Sequence, residues 1–139
     1  MKHFDSVCVI DDDQVYRFAV KCLLETWDLA GTFREFQDGA DAIDFFRESA
    51  RDANRLPDVV FLDISMPVMN GFSFLDEYAK LKDELAKDPR IYLVSSSIQD
   101  DIRNRARNHP LVSGYIIKPL PAEALEEIMK PPAVVASRA

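Results

Sequence analysis

Four short apolar runs, VCVI (7–10), VVFL (59–62), IYLV (91–94) and YII (115–117), constrain the fold of this chain more than any other feature. Each is apolar throughout rather than alternating, and most of their residues are β-branched or aromatic. A strand with one wet face alternates apolar and polar residues, so an unbroken run marks a strand covered on both faces. Helical periodicity fills the gaps between runs. Val15, Phe18, Ala19, Cys22 and Leu23 recur at three- and four-residue spacing, and Ile43, Phe45 and Phe46 follow Asp38-Gly39. Strand and helix therefore alternate, which predicts a parallel sheet with helices on both sides.

The more polar TFREF (32–36) suits an edge strand and brings the count to five. The expected architecture is a three-layer, flavodoxin-like, doubly wound α/β sandwich with five parallel strands in the order 2-1-3-4-5. In that order the first and third strands are neighbours at the topological switch point, where ligands bind beyond the strand C-termini. Gly71 opens a third helix, FSFLDEYAKLKDELAK (72–87), whose charged last turns are expected to project past the sheet. DDIRNRARN (100–108) makes a strongly polar fourth helix with few apolar anchors. Pro121 suits the first turn of a fifth, PAEALEEIMK (121–130), which Pro131-Pro132 ends. One domain over 1–130 and a flexible tail over 131–139 follow.

The bulk properties exclude several classes. A chain of 139 residues with 47% hydrophobic and 29% charged residues fits one ordinary globular domain, and no apolar run approaches the ~20 residues of a membrane span. A formal net charge of -7 argues against nucleic-acid binding, which needs a basic face to displace counterions from phosphate. Cys8 and Cys22 read as buried, reduced thiols, and with no CxxC pair and no signal peptide a cytoplasmic location is expected.

The polar residues that end the apolar runs carry the chemistry. Asp11 and Asp12 follow the first run, Asp63 the second, Ser95 the third and Lys118 the fourth. If the runs are parallel strands, one sheet edge gathers three carboxylates, a hydroxyl and an ammonium. An acidic triplet such as Asp11-Asp12-Asp13 alone is the composition of a solvated turn or helix cap, Ser95-Ser96-Ser97 that of a loop, and a single lysine that of a surface. The joint placement at separate strand ends outweighs those readings. Crowded carboxylates repel one another, and a divalent cation resolves the conflict; Mg²⁺, which prefers hard oxygen ligands, is the natural choice, and Mn²⁺ can substitute. Asp63 then becomes a nucleophile for phosphorus, with Lys118 and Ser95 neutralising the equatorial oxygens.

Together these segments resemble the response-regulator receiver domain of two-component signalling over nearly the whole chain. VCVIDDDQVYR is similar to that family's first strand and acidic pair, PDVVFLDISMPVMNGF to its phosphoacceptor strand and loop, IYLVSSS to its hydroxyl strand and GYIIKPL to its lysine strand. The resemblance implies that Asp63 is phosphorylated, that Asp12 binds Mg²⁺ directly and Asp11 through water, and that Ser65 gives the metal its backbone carbonyl. It makes Ser95 the switch hydroxyl, Lys118 the family lysine and Tyr115 the switch aromatic. It implies backbone roles for Met66-Pro67 and Gly71 and a cis Lys118-Pro119 bond. Asp13 is expected to cap the first helix.

The stretch ESARDANRLP (48–57) and the end of the third helix look longer than in the usual receiver. His3 and His109 sit in no phosphotransfer motif, so the phosphoryl group is expected from a histidine kinase or a histidine phosphotransfer protein. The expected function is a stand-alone response regulator, self-dephosphorylating rather than a turnover enzyme, that signals to a protein target through the face of helix four, strand five and helix five. A phosphatase of the haloacid-dehalogenase type also uses a strand-end Asp and Mg²⁺, but it resembles DxD, and Ser65 stands where its acid would be. A phosphorylation-independent pseudo-receiver is the other alternative; such domains lose an acidic-pair residue, the acceptor or the lysine, and this chain keeps them all.

Overall fold

The computed structural model describes residues 4–28, 30–66, 69–96 and 99–118. The expected fifth helix and tail, the Lys118-Pro119 bond and Pro67 lie outside the described residues. In chain order the elements are β1 (Phe4–Ile10), α1 (Gln14–Thr26), β2 (Ala30–Phe36), α2 (Gly39–Ser49), β3 (Val59–Asp63), α3 (Gly71–Leu81), a 3-10 turn (Lys82–Glu84), β4 (Arg90–Ser95), α4 (Asp100–Arg107) and β5 (Gly114–Ile117). All strand pairs are parallel and the sheet order is β2-β1-β3-β4-β5. This is the flavodoxin-like α/β fold expected from the alternating pattern.

The apolar runs of β1, β3 and β4 prove to be two interleaved faces, because successive side chains on a strand point to opposite sides, whereas in the run of β5, expected to be covered on both faces, Tyr115 and Ile116 are half-buried and Ile117 is exposed. Cys8, Ile10, Val60, Leu62, Ile91 and Leu93 pack on one side against Ile43 and Phe46 of α2 and Phe74, Leu75 and Tyr78 of α3. Val7, Val9, Val59, Phe61 and Val94 pack on the other side against Val20 and Leu24 of α1. Burying each such side chain stabilises the fold by about 1.5–3 kcal/mol before entropy is counted. Phe46 also makes edge contacts with Phe74 and Tyr78, at 6.0 and 5.6 Å between centroids, and these lock α2 to α3.

The apolar face of α1 differs from expectation. Val15 is 77% exposed and Phe18 66% exposed, whereas Val20 and Leu24 are buried with Tyr16 packed beside them; Leu23 packs there as expected. Tyr16, Val20, Leu23 and Leu24 are also spaced at helical intervals, so periodicity fits either face. Packing on the sheet decides between them, with Val20 and Leu24 seated on Val7, Val9, Val59 and Phe61, while Asp13 fixes where the helix begins by accepting from the N–H groups of Val15 and Tyr16 at 2.9 and 3.3 Å. Cys8 is fully buried as expected, and Cys22 is only half-buried.

The third helix is also shorter than expected, ending at Leu81. The charged segment after it folds back under the sheet instead of projecting as helix. Lys87 Nζ donates to Asp58 Oδ1 at 2.9 Å and to the Leu56 carbonyl at 3.0 Å, and Asp58 Oδ2 accepts from the Ser6 N–H at 3.1 Å. A partly buried ammonium that satisfies a loop carbonyl and a carboxylate is worth more than another exposed helical turn. At the opposite end of the sheet, α3 presses on the terminus of β3. A Cβ on Gly71 would lie 2.7 Å from the Asp63 carbonyl oxygen and 2.9 Å from Ile64 Cα, closer than side-chain carbons approach backbone. Glycine at 71 is therefore what permits α3 to begin against the acidic edge.

Candidate functional site

β1 and β3 are adjacent at the centre of the sheet, and both end at the edge where α1 and α3 begin. Asp11 directly follows β1 and is held by the backbone: its N–H donates to the Phe36 carbonyl at 3.0 Å and its Oδ1 accepts from the Asp13 N–H at 2.9 Å. Asp63 is the last residue of β3, Ser95 the last of β4, and Lys118 follows β5. The register pairs Asp63 with Val94 and Ser95 with Ile117, so parallel strands bring the expected residues to one edge.

Asp11, Asp12 and Asp63 each offer a carboxylate oxygen within 4.8 Å of the others. Asp11 and Asp63 are buried, at 1% and 4% exposure, while Asp12 faces solvent. Lys118 Nζ lies 2.7 Å from Asp11 Oδ2 and 3.6 Å from Asp63 Oδ1. The lysine therefore pairs with Asp11 first, a preference that the sequence does not reveal. Three carboxylates face one ammonium, and the imbalance shows in Asp63. Burial first, then the fields of Asp11 and Asp12, overcome Lys118 and the Ser65 backbone N–H bond, raising its pKa from 3.8 to about 6. For Lys118, burial works against the charge, yet the hydrogen bond to Asp11 and the fields of Asp11, Asp63 and Asp13 outweigh it and hold the ammonium above its usual pKa.

Such a donor set fits a hard divalent cation. Its ligand atoms are all oxygen, they converge within reach of one ion, and their surplus negative charge is what that ion would neutralise.

Two contributors were not expected from the sequence. Arg17 Nη1 donates to the Asp11 backbone oxygen at 2.6 Å and its Nε to Glu35 Oε1 at 2.7 Å, tying the acidic loop to α1 and β2. Tyr16 lays its ring beside Lys118, with Nζ 4.5 Å from the ring centroid. Both lie about one turn beyond the Asp13 cap. That spacing is the only sequence sign that they face back toward the loop. Ser65 and Ser96 are exposed at the rim, Ser95 is buried, and Tyr115 is half-buried on β5 against the α2–α3 side of the core.

The doubly wound sheet thus carries an acidic pocket at its topological switch point. The family described as Response regulator receiver domain matches residues 7–130, and the chain belongs to it. The chain is 28% identical to a two-component response regulator from Cytophaga hutchinsonii of solved structure. The alignment covers 90% of this chain and 93% of that one, with a TM-score of 0.81. It is 27% identical over 124 residues to a probable methanogenesis regulatory protein, FilR2, of Methanothrix harundinacea, covering 89% of this chain and 78% of that protein. It is also 27% identical over 124 residues to the sensor histidine kinase CheAY of Helicobacter pylori, covering 89% of this chain but only 14% of that protein. No helix among the described residues is long and apolar enough to cross a membrane.

Proposed function

We propose that the chain is a response regulator whose Asp63 accepts a phosphoryl group from a phosphohistidine of a kinase or phosphotransfer protein. The observation that carries this reading is the meeting of Asp11, Asp12 and Asp63 within 4.8 Å, with Lys118 reaching across them. Asp63 Oδ attacks phosphorus in line, the P–N bond breaks, and the imidazole nitrogen keeps the electron pair and takes a proton from solvent. Lys118 sits 3.6 Å from Asp63, near enough for its ammonium to swing from Asp11 onto a phosphoryl oxygen. Ser95 supplies a hydroxyl to a second. The carboxylates of Asp11, Asp12 and Asp63 and the Ser65 carbonyl would hold Mg²⁺ or Mn²⁺. Such a cation screens negative charge from the incoming phosphate and stabilises the transferring group.

Incubating the protein with acetyl phosphate and Mg²⁺ tests this reading. One phosphoryl group should appear by intact mass and should vanish in Asp63→Asn and in EDTA. A mass shift that survives in Asp63→Asn contradicts the assignment.

The exposed rim sets the lifetime of the modification. Ser65 and Ser96 are small, polar and open to solvent, so a water has a clear approach to the acyl phosphate. Ser96→Leu should slow the loss of phosphate about tenfold, equal to ~1.4 kcal/mol in the barrier. An unchanged decay rate would place control of access elsewhere.

The output face is α4 and β5, together with the fifth helix expected at 121–130. Ala106 is the only fully buried residue of α4, and Gln99 gives the helix no side-chain cap. Its Arg105 guanidinium lies 3.9 Å over the Phe72 ring and Ile102 reaches the core, so α4 rests on few anchors. Drawing Ser95 toward the phosphate opens space for Tyr115 to turn inward, and a loosely anchored helix can follow. Phosphate biases such a pair of states only by its different interaction with each. With beryllofluoride, amide exchange should change over residues 100–117, and Tyr115→Ala should accept phosphate yet lose most of that change. Changes confined to the loops at Asp11, Asp63 and Lys118 would rule out this face.

A further inference from the structure

We propose that Tyr16 is a positioning residue for phosphoryl transfer to Asp63, its ring face holding the Lys118 ammonium between Asp11 and Asp63. The inference rests on the receiver reading and names a residue that the acidic pocket and its lysine do not account for. Lys118 Nζ has three N–H donors to direct. Asp11 Oδ2 lies 2.7 Å away, Asp63 Oδ1 3.6 Å, and the centroid of the Tyr16 ring 4.5 Å. Two carboxylates thus occupy two directions and an aromatic face covers a third.

That arrangement restrains a side chain that is otherwise a flexible four-carbon stem with a strongly hydrated head. The quadrupole of a ring face attracts a cation within about 6 Å, and more strongly where water is excluded. Here Lys118 is 20% exposed and Tyr16 half-buried, so the contact is partly dry. Burial first, then the fields of Asp11 and Asp63, push the phenol pKa well above its ordinary value. An ordinary phenol is already protonated at neutral pH and this shift keeps it so, and Tyr16 presents a neutral ring to the lysine. Its hydroxyl is buried without a hydrogen-bond partner among the described residues, so the ring face and not the hydroxyl makes the recorded contact with the lysine.

The phase of α1 places the ring. Asp13 caps the helix by accepting from the Val15 and Tyr16 N–H groups, and Arg17 ties the next position to the Asp11 backbone. Tyr16 is thereby fixed beside the acidic loop by the residues that build it. A ring placed in this way limits the lysine to the short arc between its two carboxylates. Along that arc it can leave Asp11 for a phosphoryl group on Asp63 without first being recaptured by water.

The test compares Tyr16→Phe, which keeps the face, with Tyr16→Leu, which removes it, in the wild-type and Lys118→Ala backgrounds. The readout is the rate of Asp63 phosphorylation by acetyl phosphate and Mg²⁺. Tyr16→Leu should slow the rate about 5- to 20-fold and Tyr16→Phe should restore most of it. In the Lys118→Ala background the leucine should cost less than about twofold, since a residue acting through the lysine has nothing left to act on. Equal losses in Phe and Leu variants, or an undiminished leucine effect without Lys118, would overturn the proposal.

An NMR measurement on the unphosphorylated protein keeps the two readings separable. The Lys118 ε-methylene protons should be shifted upfield by the ring current in wild type and in Tyr16→Phe, and should return to ordinary values in Tyr16→Leu. Absence of that shift in wild type overturns the role of Tyr16, even where Asp63 is phosphorylated normally. A wild-type protein that shows the shift but never takes phosphate would instead sink the phosphoacceptor reading of Asp63, and with it the catalytic purpose proposed for the contact.

Discussion

Asp63→Asn is expected to stabilise the metal-free protein at pH 7, by on the order of 1–3 kcal/mol, while abolishing its capacity to accept phosphate. The folded state raises the Asp63 pKa from 3.8 to about 6, chiefly through burial and the neighbouring Asp11. A carboxyl whose folded pKa is raised binds its proton more tightly in the native protein than in the unfolded chain. Its contribution to stability is therefore complete below about pH 4 and is lost as pH rises through about 6. Asparagine carries no charge and escapes that loss, so the variant's advantage should be largest at pH 7 and should fade toward pH 4. Mg²⁺ should narrow the gap by stabilising wild type more than the variant, because a ligand that binds only the native state adds to its stability. Urea unfolding at pH 7 and pH 4, with EDTA or Mg²⁺, measures each of these terms. Wild type at least as stable as Asp63→Asn at pH 7 in EDTA would show that the acidic pocket is not strained.

Lys118→Met should act in the opposite direction and more strongly. The methionine fills the place of the lysine stem but leaves Asp11, 1% exposed, without the ammonium 2.7 Å from its Oδ2. Removing one member of a buried ion pair costs about 3–5 kcal/mol, because the remaining charge stays desolvated and unpaired. The deficit should appear in EDTA at pH 7, shrink as Asp63 takes up its proton below about pH 6, and be partly repaired by Mg²⁺. A loss under about 1 kcal/mol at pH 7 would mean that water reaches Asp11 and that the pair behaves as a surface bridge.

Much of the fold was legible because a strand buried on both faces leaves an unbroken apolar run, and such runs mark β1, β3 and β4, while the half-buried β5 carries one as well. The polar edge strand β2 was also found, since TFREF kept strand-forming residues between two helical patterns. What stayed hidden depends on which way a helix is turned. Val15, Phe18, Ala19 and Cys22 share the spacing of Tyr16, Val20 and Leu24 closely enough that either set, with Leu23 common to both, can face the sheet. The packing of Val20 and Leu24 on β1 and β3, together with the bond from Arg17 to Asp11, selects the second set. The end of α3 was hidden for a related reason: KDELAK has good helix formers, and it is the tertiary anchor from Lys87 to Asp58 and Leu56 that draws it out of the helix.

The acidic residues of the candidate site were readable because each ends a strand, and parallel strands bring their ends together whatever the loops do. The electrostatic order within the site was not. Lys118 lies closer to Asp11 than to Asp63, and Tyr16 stands over the lysine, by virtue of side-chain packing across three separate elements. Neither relation leaves a mark in the spacing of residues along the chain.

Asp63 is expected to be the residue that carries the phosphoryl group. Its most direct test is chemical trapping: protein phosphorylated with acetyl phosphate and Mg²⁺ is reduced with borohydride, which converts an aspartyl phosphate to homoserine, and the digest is mapped by mass spectrometry. Homoserine is expected at position 63 and at no other aspartate. Homoserine at Asp11, Asp12 or Asp13, or a phosphorylated protein with Asp63 unchanged, would contradict it.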